Sequence, residues 1–336
     1  MTAPWLPGPP IVQAPMAGGP STPELVAAVS DAGGLGFLGA GYKTAGAMRA
    51  DIDRTRALTS RPFGVNLFMP SLDEIDPVAV SAYRDLLAPE AERLGVEPGT
   101  PSARDDAYDA KIADLLSDPP AFVSFTFGCP GTDVIRAFQE RGTVVVVTVT
   151  TTEEARRSSA VDALCVQGTE AGGHRGSFTN TFDGALPLRM LLRDVLAVTD
   201  LPVIAAGGLG TPDDVAEVLA LGAVAVQLGT VFLRCPESGA SAVHKAALAD
   251  PRFTSTAMTR AFSGRPARGL VNRFLSEHSD DAPAAYPDVH YVTSPLRKAA
   301  AAQGDPDTVN LWAGTAFRAA ADTPAAELVG HLASRL

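Results

Sequence analysis

Ala163-Leu164-Cys165-Val166-Gln167-Gly168-Thr169-Glu170-Ala171-Gly172-Gly173-His174-Arg175-Gly176-Ser177 is an apolar run followed by a loop that packs four glycines around one histidine. The run reads as a buried strand. Glycine in the loop lets the backbone turn sharply and come close to a ligand. Histidine is the side chain most easily poised as a proton acceptor near neutral pH. What remains is to find the scaffold that carries this loop.

Working outward, further strands are expected at 11–16, 34–39, 63–68, 121–127 and 143–149, then at 162–167 for the run itself, and at 201–206 and 223–228. Helical stretches separate most of them. Thr22-Pro23-Glu24 and Thr211-Pro212-Asp213-Asp214 place a cap, a proline and an acid where helix N-termini need them. Valine dominates 143–149, as it does in a strand buried on both faces. Eight strands alternating with helices in roughly the first 230 residues is the number and length of an α/β TIM (β/α)8 barrel. A doubly wound open sheet is the competitor, but it usually has fewer strands and a glycine fingerprint after the first. Gly34-Leu35-Gly36-Phe37-Leu38-Gly39 matches GxGxxG as a string. Its glycines fall inside an expected strand, which argues against a dinucleotide site.

Two stretches break the rhythm. Residues 70–120 read as a long excursion between the third and fourth strands, helical over 78–94 and again up to 116, with no site of its own. From 235 to 310 the texture changes, and Pro283, Pro287 and Pro295 punctuate the chain. This reads as a second, smaller C-terminal domain over the barrel mouth. The expected division is therefore a barrel of 1–235 plus 311–336 and a smaller, substrate-covering domain of 236–310.

Hydrophobic residues make up 46% of the 336 and charged residues 19%, so a sizeable core is available. The net charge of -11 argues against nucleic acid or an anionic membrane surface as partner. A small anionic substrate stays open, because a local site can differ in sign from the whole. Cys129, Cys165 and Cys235 match no zinc or redox spacing. Neither a secretory leader nor an apolar run of ~20 residues is visible, so a cytoplasmic location is expected.

In such a barrel the chemistry gathers at the carboxyl ends of the strands. Gly207-Gly208-Leu209-Gly210 and Gly229-Thr230 follow the last two strands and fit the usual phosphate site of the fold. Asn66 and Gln167 end their strands with amides that both donate and accept, which suits the ring nitrogens and carbonyls of a flavin. His174 is the candidate catalytic residue. Arg175 beside it either attracts an anion or points to solvent. His244, His278, His290 and His331 show no metal spacing, so no metal site is expected.

Several of these stretches together resemble the nitronate monooxygenases, formerly 2-nitropropane dioxygenases. They are Gln13-Ala14-Pro15-Met16-Ala17-Gly18-Gly19, Gly64-Val65-Asn66, Ser124 to Gly128, Gln167 to Gly176, Ala205 to Gly208 and Gln227-Leu228-Gly229-Thr230. Glu170 to Gly176 and Phe262-Ser263-Gly264-Arg265-Pro266-Ala267-Arg268-Gly269 look most like the class I bacterial members. The resemblance implies FMN at the barrel mouth. It implies that Ala14, Pro15 and Met16 run along the flavin and that Asn66, Gln167 and Gln227 bond it. Gly172 and Gly173 would approach the ring, and Gly207, Gly208, Gly229 and Thr230 would hold the phosphate. His174 matches the family's active-site histidine. Tyr286, Tyr291 and Arg297 are candidates for the tyrosine and basic residue that enclose substrate in relatives, with Tyr286 and Arg297 preferred. Thr315 departs from the amide or acid more usual after Trp-Ala-Gly.

The implied activity is oxidation of alkyl nitronates, such as propionate 3-nitronate, with O2 to carbonyl compounds and nitrite or nitrate. The enzyme is expected to act on these small molecules as a monomer or homodimer. A similar FMN-dependent NAD(P)H reductase, of enoyl-acyl-carrier-protein or quinones, is the alternative. A barrel that binds flavin without catalysis is the third reading.

Overall fold

Strand formation here follows from β-branched and aromatic runs that must be buried on both faces. The computed structural model describes residues 6, 8–71 and 73–336. Its strands are β1 (Ile11–Gln13), β2 (Phe37–Gly39), β3 (Gly64–Phe68), β4 (Phe122–Thr126), β5 (Val144–Val149), β6 (Ala163–Gln167), β7 (Gly173–His174), β8 (Val203–Ala206), β9 (Ala225–Leu228), β10 (Thr256–Thr259) and β11 (Ala267–Leu270). Among the described residues, eight of these form one sheet in the order β1-β9-β8-β6-β5-β4-β3-β2, parallel at every pairing.

The barrel closes between β1 and the approach to β2. Val12 bridges Leu35 in parallel, and Gln13 N–H and Leu35 N–H donate at 2.9 Å to the Leu35 and Ile11 carbonyls. The fully buried Gln13 side chain continues the seam. Its Oε1 accepts the Phe37 amide at 3.1 Å and its Nε2 donates to the Ser21 hydroxyl at 2.9 Å. One amide thus replaces the ladder where the strands diverge. The expected strand at 34–39 is correspondingly short, because its first residues form this seam instead.

Side-chain alternation splits the barrel's hydrophobic residues into two layers. Val12, Leu35, Phe37, Phe122, Val146, Cys165 and Ile204 fill one buried cluster. Their neighbours Ile11, Leu38, Val123, Val145, Val147 and Leu164 pack in another with the surrounding helices. Cys165 lies in the first, its thiol pushed up to about 12 by burial. The Ala325–Leu332 helix joins the second through Ala325, Leu328, Val329 and Leu332.

A further buried cluster lies outside the barrel and draws on two parts of the chain. One part is the Ala242–Ala249, Arg273–His278 and Asp288–Ala302 helices with β11. The other is the excursion, through Val80, Tyr83, Leu87 and Leu94. The helix expected over 78–94 is two, Pro77–Leu86 and Ala88–Leu94, with Pro89 in the first turn of the second. Pro295 also differs from expectation, since it sits inside the 15-residue Asp288–Ala302 helix. A proline there has no N–H for the carbonyl four residues earlier. The excursion packs beside this turn, with Gly99 N–H donating to the next carbonyl along, that of Val292, at 2.9 Å. No helix among the described residues is long and apolar enough to cross a membrane.

The opening loop crosses from the barrel into this second layer. β7 pairs antiparallel with β11, His174 opposite Ala267 and Gly173 opposite Arg268, and β11 pairs with β10. A stretch expected as a glycine-rich loop is therefore the edge of a three-stranded sheet. Only the backbone of two residues takes part, too little to leave an alternating pattern in the sequence.

Candidate active site

The carboxyl ends of the barrel strands open into one cavity of about 870 Å³. Its lining includes Ala14, Pro15, Met16, Asn66, Gln167, Gly172, Gly173, His174, Gly207, Gly208, Gln227, Gly229, Thr230 and Arg297, all expected at a site from the sequence. Thr126 and Thr148 line it from β4 and β5. The Asp288–Ala302 helix contributes His290, Ser294, Arg297 and Lys298, spaced so that one face meets the cavity.

His174 is held on three sides. The Gln167 side chain donates to its carbonyl at 3.2 Å and accepts the Gly176 amide at 2.7 Å. Its ring stands edge-on to Phe127 and Tyr286, at 5.9 and 5.6 Å between centroids, and tilts against Trp312 at 5.5 Å. Its Nε2 lies 2.9 Å from the Ser263 hydroxyl. This enclosure pushes the imidazole pKa down to about 3, and the positive charges of Arg265 and Arg297 act in the same direction. The ring is neutral at neutral pH.

Arg265 is buried. Its guanidinium lies 4.0 Å from the centroid of the Phe127 ring and bonds the Ser177 carbonyl. Phe127 has φ +76, a left-handed backbone that a bulky residue adopts at a cost, and such strain collects at functional positions. Arg297 is half-buried at the cavity wall. It donates to the Thr293 hydroxyl at 3.1 Å, the Asn310 side-chain Oδ1 at 3.2 Å, and Nδ1 and the backbone carbonyl of His290 at 3.2 and 3.0 Å. All these partners are neutral. Burial pushes both guanidinium pKa values down to about 10, so both stay charged at neutral pH. His290 stacks on Tyr42 at 3.9 Å, and burial beside Arg297 holds it neutral.

The nitronate monooxygenase family profile matches residues 5–334. The chain belongs to the nitronate monooxygenase family. Its relatives include the nitronate monooxygenase of Pseudomonas aeruginosa, 43% identical over 97% of this chain and 96% of that protein. The solved nitroalkane oxidase of Streptomyces ansochromogenes is 54% identical, with a TM-score of 0.96 over 98% of this chain and 96% of the other. FabK of Thermotoga maritima is more distant, at 27% identity and a TM-score of 0.75 over 98% and 94% of the two chains. Family membership makes the chain an oxidoreductase and its cavity the active-site candidate.

Some expectations shift once the residues are placed. Tyr286 does not line the main cavity but stands behind it, against His174, with its hydroxyl donating to that of Tyr42 at 3.1 Å. Arg175 neither meets an anion nor points to solvent. It is buried and donates to the Phe182 carbonyl at 3.0 Å, holding the loop that follows β7. The excursion supplies cavity wall after all, through Ala103, Asp105, Asp106 and Ala107. Arg104 anchors it by bonds of 2.9 and 2.6 Å to buried Asp288. Glu90, Glu277 and His278 lie close enough together to share a metal, but Arg273 and Arg93 already bond the Glu90 carboxylate and hold its pKa down at about 2.

Sequence reasoning missed Tyr42, Ser263 and His290 as cavity residues, and Arg265 as the buried charge behind Phe127. Tyr42 left no signal, but the others did. Ser263 and Arg265 fall in the quoted 262–269 stretch, and His290, Ser294 and Arg297 have helical spacing that the neighbouring prolines masked.

Proposed function

We propose that the cavity binds FMN and that the enzyme oxidises alkyl nitronates, such as propionate 3-nitronate, with O2 to carbonyl compounds and nitrite or nitrate. The observation that carries the anionic substrate is Arg297, a cation whose hydrogen-bond partners are all neutral, on the wall of the cavity that also holds the neutral His174. An anion entering beside Arg297 gains charge-assisted bonds without displacing a carboxylate.

The donor set fits FMN. Gly207 and Gly208 both have positive φ, at +113° and +70°, so their backbone can turn its amides toward a phosphate. A Cβ at Gly208 would meet Glu170 at 2.6 Å, which leaves no room for a side chain in that turn. Gly229 and Thr230 would complete the phosphate end. Asn66 uses its Nδ2 on Ser124 and Thr126, which leaves its carbonyl oxygen as an acceptor for the ring. Gln227 would be a second polar contact, and Ala14, Pro15 and Met16 a backbone rail along the cofactor. The flavin would supply the redox chemistry.

The residues around it would bind and orient the substrate. Arg297 would hold the anion from the wall formed by the Asp288–Ala302 helix. A neutral His174 would gain proton affinity as the anion arrives, and once it had taken up a second proton from solvent it could donate to the nitro oxygens. With a neutral nitroalkane it would have to accept the α-proton. Burial disfavours its charged form, so accepting that proton is the harder task, which favours nitronate over nitroalkane. Tyr286 would act through the His174 ring and the Tyr42 hydroxyl. The 236–310 segment would be the substrate-covering unit of a cytoplasmic monomer or homodimer.

The test is to mix the purified, FMN-loaded protein with propionate 3-nitronate in air and follow oxygen, then to add NADH or NADPH anaerobically. Nitronate-dependent oxygen uptake with slow bleaching by nicotinamide is expected. Rapid bleaching without such uptake would overturn the proposal in favour of a nicotinamide-dependent reductase.

A further inference from the structure

We infer that Ser263 is a positioning residue that selects the tautomer of His174, placing the imidazole proton on Nε2 and leaving the Nδ1 lone pair for the cavity. Ser263 is buried in the turn between β10 and β11 and is locked there. Its own N–H donates to the Arg260 carbonyl at 3.1 Å, and Thr293 donates to the neighbouring Phe262 carbonyl at 2.6 Å. Its hydroxyl has three polar neighbours. They are the His174 Nε2 at 2.9 Å, the Arg265 carbonyl at 3.3 Å and the Arg265 amide at 3.4 Å.

A hydroxyl has one proton and two lone pairs. The Arg265 carbonyl can only accept and the Arg265 amide can only donate. All three contacts are made together in one arrangement: the hydroxyl donates to the carbonyl and accepts from both the amide and the histidine. Nε2 must then carry the hydrogen. The opposite tautomer would take the hydroxyl proton and leave a buried carbonyl contact without one, which is unfavourable in this dry setting. The ring also packs on Phe127, Tyr286 and Trp312, and among the described residues the hydroxyl is the polar group hydrogen-bonded to it, so it decides the tautomer. The pairing of β7 with β11 sets His174 opposite Ala267, a few residues beyond Ser263, so the accessory sheet holds the two together.

The consequence for turnover rests on His174 meeting substrate, as proposed above; the tautomer itself does not. The experiment is imidazole nitrogen NMR on histidine-labelled protein as purified, with the His174 signals identified by their loss in His174→Gln, alongside steady-state kinetics. Wild type should show a neutral Nε2–H tautomer at His174. Ser263→Ala should shift it toward a mixture or toward Nδ1–H and lower kcat about tenfold with little change in KM. Ser263→Thr, which keeps the hydroxyl, should restore the tautomer and most of kcat. An Nδ1–H signal in wild type, or an unchanged tautomer in Ser263→Ala, overturns the inference. Absence of nitronate turnover in wild type would instead strike the proposed function and leave the NMR result standing.

Discussion

The side chain of Gln167 holds the backbone of His174 in place: its Nε2 donates to the His174 carbonyl at 3.2 Å while its Oε1 accepts the Gly176 amide at 2.7 Å. The last residue of β6 therefore fixes the loop that follows it, and the amide expected to bond a flavin is already half committed to protein. Gln167→Leu removes both bonds. At about 1 kcal/mol each, the loosened loop should lower kcat roughly tenfold or more, with the barrel still folded. Faster hydrogen exchange at the Gly176 amide would locate the effect. A variant with normal turnover would show that β7 pairing alone positions the histidine.

Arg297 is expected to read substrate charge. A hydrogen bond to a charged group contributes about 1.5–3 kcal/mol, so Arg297→Gln should lower kcat/KM for an anionic nitronate roughly ten- to hundredfold. A neutral nitroalkane should suffer less, because it brings no charge to lose. Steady-state kinetics with the two forms of one compound provides the comparison. Equal losses would mean that Arg297 acts by holding His290 and Asn310 rather than by meeting the substrate.

Acid should destabilise the fold through its buried imidazoles. Burial pushes His174 down to about 3 and His244 down to about 4, the latter against the raising effect of its bond to the Trp312 carbonyl at 3.0 Å. The unfolded chain takes up these protons near pH 6.5, whereas the folded chain does not until the lower values. Between the two the unfolded state binds more protons, so stability falls as pH falls, by up to about 1.4 kcal/mol per pH unit for each histidine. Melting temperature should thus be steady above pH 7 and drop steeply between pH 6 and 4. His244→Gln should flatten that slope. A slope that His244→Gln leaves intact would place the acid sensitivity elsewhere.

The barrel was legible because its strands are valine-rich or glycine-terminated runs separated by capped helices, and both signals are local. Thr22 and Thr211 accept the amides of Leu25 and Asp214 at 3.0 and 3.2 Å, as their spacing predicts. The cavity lining was legible for the same reason, since strand ends follow once strands are known. What lay hidden depends on contacts distant in sequence. His174 meets Ser263 across 89 residues, and Arg104 meets Asp288 across 184. Pro295 hid a helix, because the rule that proline breaks helices is overridden where buried residues on both sides, Val289 and Val292 before it and Leu296 and Ala300 after it, hold the two halves in one core.

The glycines of the opening loop should separate into two kinds on mutation. A Cβ at Gly172 would come within 2.4 Å of the Gly314 nitrogen and 2.6 Å of the Ala313 carbonyl carbon, both backbone atoms that cannot swing aside. Its glycine serves close packing between the loop and the chain after β11. A Cβ at Gly173 would meet nothing within 4 Å, although φ is +73. There the chain is open on the side of the missing side chain, and a left-handed backbone costs an alanine only about 1–2 kcal/mol. Gly172→Ala should therefore lower the melting temperature by several degrees through overpacking of about 1–3 kcal/mol. Gly173→Ala should melt closer to wild type yet retain less flavin, because its methyl occupies space the cofactor would use. Melting curves and flavin absorbance per protein on the two purified variants decide the matter. If Gly173→Ala keeps its full flavin and turnover, the residue is glycine for its backbone angle alone, and the proposed approach of the ring to this loop is wrong.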